Sequence, residues 1–246
     1  MRIRDELVRQ AGLTPRSMQQ LHAVHLPEPG SPDAAAYLAM PRGSSLAYYT
    51  PLGSHPSVYG TAAAAANRRA AAIWFSPDWR GGRCGAATRQ GNESGWFAPT
   101  GATTPLAQTT AHEYGHHVSE VFFNAPGITG TADMPGELAL RFLPVLNDAL
   151  GATRHSGSAI YGDLLEPRRH GSWDNLKFTA PGDLMDMWVR QNAKLITERV
   201  SGYAATNMGE LLAEIWQEYS TKGANARPHI KVIGDLMRQI AEELRA

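Results

Sequence analysis

The sequence predicts an α+β fold, mostly helical, with a small and partly antiparallel sheet built from residues before about 100. Two patterns carry this prediction. Short runs rich in aromatic and branched residues, "SSLAYYT" (44–50), Ala72 to Phe75 and "SGWFAP" (94–99), read as strands bounded by turn residues. Beyond them, apolar residues recur at spacings of three and four in long segments. A chain of 246 residues suits one large domain and can bury a proper core.

Residues 1–24 read as one or two short helices, and "LPEPGSP" (26–32) as a turn, so 1–32 is expected to be an N-terminal helical extension and linker to a domain spanning 33–246. "PLGSHPSVYG" is loop-like, and the alanine run before Ala72 suits a short helix running into a strand. "SPDWRGGRCG" reads as a turn-rich loop. "QTTAHEYGHHVSE" (108–120) lies in a helix whose Ala111, Gly115, Val118 and Phe122 form a buried stripe; Thr103, Thr104 and Pro105 supply its start and "NAPG" its stop. Gly115 costs about 1 kcal/mol relative to alanine inside a helix, so something is expected to approach the backbone there. "GELALRFLPVLNDALG" (136–151) is helical, with a kink expected at Pro144. Residues 152–182 read as a long loop or insertion, followed by helices in 182–200 and 207–220, and 227–246 closes the chain.

Composition removes several classes. Lys plus Arg and Asp plus Glu are both 23, so no overall field points to nucleic acid or an anionic membrane. The single Cys84 rules out an intramolecular disulfide and cysteine-based zinc sites, leaving histidine and carboxylate as ligands. No apolar stretch approaches the roughly 20 residues of a membrane span, and the charged start lacks a secretory apolar run. A cytoplasmic origin without a signal peptide is the expectation, with export as an effector or incorporation in a phage particle as further routes.

His112 and His116 stand four apart, so a helix presents both imidazoles to one ion, while Glu113 lies about 100° round the axis. This is the H-E-x-x-H arrangement of zinc peptidases. A catalytic zinc needs three protein ligands and an open position. The extended pattern with a third histidine is absent, because Ser119 and Phe122 stand at its Gly and His positions. Glu137 lies 21 residues beyond His116, but no aspartate follows four residues later. His155, Asp163, Glu166 and His170 are further candidates. Glu210 and Glu214 share one helical face in "SGYAATNMGELLAEIWQEYS" (201–220), although with Asn207 as cap, Glu210 also suits the third position of a capping box. His117 points away from the His112 and His116 face and is expected to be exposed or bonded to a carbonyl. Trp74, Phe75, Trp96 and Phe97 are read as strand core.

The order His112-Glu113-x-x-His116 followed by Tyr203, Asn207, Glu210 and Glu214 in Y-x-x-T-N-x-x-E-x-x-A-E resembles the anthrax lethal factor-like zinc peptidases. The resemblance covers roughly residues 70–222, with these two segments carrying its specificity. It implies a zincin-like metallopeptidase domain in which His112, His116 and Glu210 bind Zn²⁺ and Tyr203 stabilises the transition state. It gives Glu214 the task of orienting a ligand imidazole, with Asn207 beside it in the supporting shell. The long separation between His116 and Glu210 implies an insertion around 124–182. The expected activity is zinc-dependent endopeptidase cleavage of a protein or peptide substrate, with Glu113 as general base on the attacking water. An extended substrate is expected to add to an edge strand near Ala72 to Phe75. The alternative is a non-catalytic structural or interaction protein, such as a phage particle component, with a zincin-like fold.

Overall fold

The computed structural model describes residues 3–14, 21–39, 45–50, 71–100, 103–123, 136–152 and 181–244. Its three strands, β1 (Leu21–His25), β2 (Ala47–Thr50) and β3 (Ala71–Phe75), are ordered β1-β3-β2. β1 runs parallel and β2 antiparallel to β3. The sheet is therefore mixed and small, as an α+β chain requires. β3 is buried at every position, which explains its unbroken apolar run: both faces are covered, so no alternation is needed. Ile73 and Phe75 join the helical core, while Trp74 stacks between His25 and Tyr48. This overturns the expected substrate edge near Ala72 to Phe75, because β3 is the central strand and both its edges are already paired.

Two other expectations in this region change. Residues 21–24, expected to be helical, form β1 with His25, since so short a run shows no helical period and the pairing to β3 decides. "SGWFAP" is not a strand: Trp96 and Phe97 both donate backbone bonds to Gly91 O, wrapping the segment around the end of a preceding helix. That helix, α3 (Arg83–Glu93), follows α1 (Ile3–Leu13) and α2 (Pro32–Ala39). Its first turn falls in the segment expected to be a turn-rich loop, and no helical stripe marks it because its buried positions are Cys84, Thr88 and Gly91, correctly spaced but not large and apolar.

The remainder is helical: α4 (Pro105–Phe123), α5 (Gly136–Leu150), α6 (Pro181–Gln191), α7 (Ala193–Arg199), α8 (Met208–Lys222) and α9 (Pro228–Leu244). α4 starts as expected, with Thr104 Oγ1 accepting from Ala107 N and Pro105 leading the first turn. α5 runs on through Pro144, whose side lies in solvent. The helix expected over 182–200 divides at Asn192, whose side-chain amide donates to Trp188 O. The core gathers Tyr114, Val118, Phe142, Leu146, Trp188, Leu211, Trp216 and Met237. Of the expected extension, α1 docks on α4 and α8: Gln10 accepts from Trp216 Nε1 at 2.8 Å and donates to Ser220 Oγ at 2.9 Å. Most of the expected insertion, residues 124–135 and 153–180, lies outside the described residues, as do the alanine-rich segment 61–70 and "PLGSHPSVYG".

The α4 to α8 contact positions everything that follows. At Gly115 a Cβ would stand 2.9 Å from Ala213 Cα and 3.0 Å from Ala213 O. Only glycine allows the two backbones to come this close, which accounts for a residue that otherwise weakens the helix. The approach brings one turn of α4 against the first turns of α8.

Candidate metal centre

α8 begins at Asn207, whose Oδ1 accepts from Glu210 N at 2.9 Å, while Asp186 Oδ1 accepts from Met208 N at 2.8 Å. Asn207 therefore acts as the helix cap that sets the first turn. The carboxylate of Glu210 is turned into the site: its Oε2 lies 3.1 Å from His112 Nε2 and 3.2 Å from His116 Nε2, and its Oε1 accepts from Tyr203 OH at 3.1 Å. Half of the capping box is thus present, and Glu210's own side chain serves a different purpose. One ligand atom from each of His112, His116 and Glu210 lies within 4.8 Å of the others.

These residues fit a zinc ion. Ligands about 2.0–2.1 Å from a tetrahedral ion stand about 3.3 Å apart, close to the separations of Glu210 Oε2 from the two imidazoles. Two imidazoles and one carboxylate are three donors, which would leave one tetrahedral position open. The His116 side chain is 21% exposed against 8% for His112, so the cluster is open on one side.

Behind the ligands, Glu214 is fully buried, and its Oε1 lies 2.9 Å from His112 Nδ1. A proton on Nδ1 directed at this carboxylate leaves Nε2 free as a ligand. Glu214 Oε2 accepts from Ala98 N and from Ser201 Oγ, the latter at 2.8 Å, and Ser201 Oγ accepts in turn from Ala204 N at 3.0 Å. Ser201 therefore joins the support of His112 to the short 3₁₀ turn Tyr203–Ala205. Gly202 N and Tyr203 N donate to Gly95 O and Trp96 O, clasping the same turn from the other side.

The charge balance of the cluster is tight. Burial opposes ionisation of Glu210, but the charge of His116 and the hydrogen bonds from His112 and His116 hold it well below the usual carboxylate range. Burial likewise disfavours a charged His112, yet Glu210 and Glu214 raise it well above an ordinary imidazole. Burial and the Glu210 charge push the Tyr203 phenol up, keeping it a donor.

Glu113 is buried beside the ligands and lines, with His112 and Tyr203, a cavity of about 220 Å³. Tyr203 stacks on His112 with ring centroids 5.5 Å apart. Trp96 and Phe97, expected in strand core, form cavity wall instead, whereas Trp74 and Phe75 are in the sheet as expected. His117, expected to be exposed or bonded to a carbonyl, is buried and lies 2.9 Å from Tyr49 OH. The side chain of Glu137, and all of His155, Asp163, Glu166 and His170, lie outside the described residues. The sequence pointed to neither Ser201 nor the Ala98 amide; the only signal was a serine two residues before Tyr203.

Ser201→Ala is expected to lower zinc affinity about tenfold, as loss of outer-shell support does, and to cost about 1–2 kcal/mol of stability. Titration against a competing chelator measures the first and thermal melting the second. An altered melt with unchanged zinc affinity would make Ser201 a folding residue only.

Comparison of the chain with family models, with curated proteins and with solved structures finds no match. The side chains of the site therefore carry the functional reading. Among the described residues no helix is long and apolar enough to cross a membrane.

Proposed function

We propose that this chain is a zinc-dependent endopeptidase of the lethal factor-like type, with a zincin-like fold and a protein or peptide substrate. The observation that carries the reading is the convergence of His112, His116 and Glu210 beside a cavity that Glu113 and Tyr203 also line. His112, His116 and Glu210 would hold the ion. Zinc bound by them supplies Lewis acidity, acidifying water and polarising a carbonyl.

The protein's own groups do the remaining work. Glu113 accepts a proton from the attacking water and returns it to the leaving amine. Tyr203 exchanges its hydrogen bond to Glu210 for one to the oxygen on which charge develops. Glu214 and Ser201 hold His112 in the orientation that the site requires. An extended peptide adds along β2, which among the described residues pairs only with β3 and whose start borders the cavity. A non-catalytic structural protein would have no use for a buried carboxylate at Glu113's position.

Purified protein is expected to carry close to one zinc per chain, removable by a chelator, and Glu210→Ala is expected to abolish tight binding. A role limited to helix capping predicts instead about 0.5–2 kcal/mol of lost stability with zinc retained. Elemental analysis of metal-replete protein, with melting curves of the variant, decides between them. Absence of zinc from the metal-replete protein would remove the central claim.

A further inference from the structure

We infer that Arg227, held by the buried Glu218, is a positioning residue for Tyr203: it grips the chain just before the turn that carries the phenol and so fixes where its hydroxyl stands beside the metal centre. This rests on the peptidase reading and adds to it a residue outside both the ligand set and the cavity lining.

Spacing on α8 sets the arrangement up. Glu210, Glu214 and Glu218 recur at every fourth residue, so they share one face, the first and third about 12 Å apart along the axis. Segment 199–203 meets all three. Tyr203 OH donates to Glu210 Oε1 at 3.1 Å, and Ser201 Oγ donates to Glu214 Oε2 at 2.8 Å. At Glu218 the guanidinium of Arg227 stands between. Its Nε donates to Oε1 and Oε2 at 3.0 and 2.9 Å, and its Nη2 donates to Oε2 as well. Nη2 also donates to Val200 O at 3.2 Å, and Nη1 to Arg199 O. Three successive carboxylates thus hold the segment at Arg199 and Val200, at Ser201 and at Tyr203.

Stability alone does not account for the pair. Desolvation of two charges offsets most of their attraction, and apolar residues of similar volume often serve as well. Glu218 is fully buried. Burial opposes its ionisation, yet the hydrogen bonds and charge of Arg227 hold its carboxyl below the usual range. What an apolar pair could not supply is the grip on two carbonyls. Arg199 and Val200 end α7, where carbonyls lack a helical partner, and the guanidinium fork reaches both while still engaging the carboxylate. On the other side of the turn, Gly202 N and Tyr203 N donate to Gly95 O and Trp96 O at 3.0 and 2.8 Å. Without the fork the turn is held firmly from that side only, and a misplacement of about 1 Å in a reacting group can cost on the order of 10²-fold in rate.

Arg227→Lys keeps a cation opposite Glu218 and removes the fork, so it tests the grip without leaving a buried charge unpaired. Amide hydrogen exchange on the zinc-loaded protein, followed by NMR, reads the turn directly. Exchange at Gly202 and Tyr203 is expected to quicken about tenfold or more relative to the amides of residues 211–216 in α8, a local opening that general destabilisation does not mimic. Zinc content should match wild type. With a peptide cleaved from a library, kcat is expected to fall about tenfold at constant KM. On the Tyr203→Phe background the same substitution should lower kcat hardly further, because the hydroxyl it positions is gone. Glu218→Gln, which keeps the volume and one acceptor, is expected to give the same pattern at about threefold, and carries both measurements if Arg227→Lys does not fold. Unchanged relative exchange at Gly202 and Tyr203 overturns the assignment. So does a full loss of kcat repeated on the Tyr203→Phe background, which would leave the peptidase reading standing. Local opening in a protein that cleaves no peptide supports the positioning and counts against the peptidase.

Discussion

Glu113→Gln should yield a folded protein with its zinc intact and hydrolysis reduced by about 10⁴-fold, the upper end of what a positioned general base supplies. The side chain is buried beside the ligands without belonging to the set of three whose donor atoms converge. Glutamine keeps its volume, so neither packing nor metal content has reason to change. What is lost is the ability to accept a proton. Turnover of a peptide library by the variant, measured beside its zinc content, checks this. Activity within tenfold of wild type would show that another group takes the proton.

Tyr203→Phe should lower kcat by about 10²–10³ with KM nearly constant, the signature of a donor that acts only on developing charge. The ring contacts with His112, Trp96 and Phe97 survive the substitution. The phenol also donates to Glu210 in the resting site, so a stability loss of about 1 kcal/mol is expected alongside. Steady-state kinetics separates the two roles. An unchanged kcat would leave Tyr203 as packing and a support for Glu210, and would take the oxyanion donor out of the proposed mechanism.

The parts of this molecule legible in its sequence are those written in large or chemically distinctive residues. The apolar run of β3 is visible because every position is buried, and the stripe of α4 and the helices after residue 181 because their burial leaves a repeat. The approach at Gly115 was legible as an unfavourable residue in want of a reason, and Ala213 is that reason. His112 and His116 stand out by type and spacing and Glu210 by the resemblance of its segment to the lethal factor-like peptidases, and the structure brings the three together. α3 was not legible, since small side chains line its buried face. Nor was the central place of β3, because sheet order depends on long-range pairing that no local pattern records. Trp96 and Phe97 misled because an aromatic pair looks the same in a strand as in a loop held by Gly91 O. The Ala98 amide is a backbone group, and a sequence says nothing of which backbone groups turn toward a carboxylate.

The contact at Gly115 also bears on which ion the proposed site would prefer. The imidazoles ride on α4 and the carboxylate on α8, so the distance between the two helix axes sets the bite of the ligands. A methyl group at position 115 would meet backbone atoms of Ala213, which no change of side chain at 213 can withdraw. Restoring ordinary carbon contacts of about 3.5–4.0 Å would move the helices apart by roughly 0.5–1 Å. Ligand separations opened by that amount would exceed the roughly 3.3 Å that a small tetrahedral ion requires. One hydrogen atom in place of a methyl thus works as a gauge for ionic radius, set where α4 meets the helix that carries Glu210.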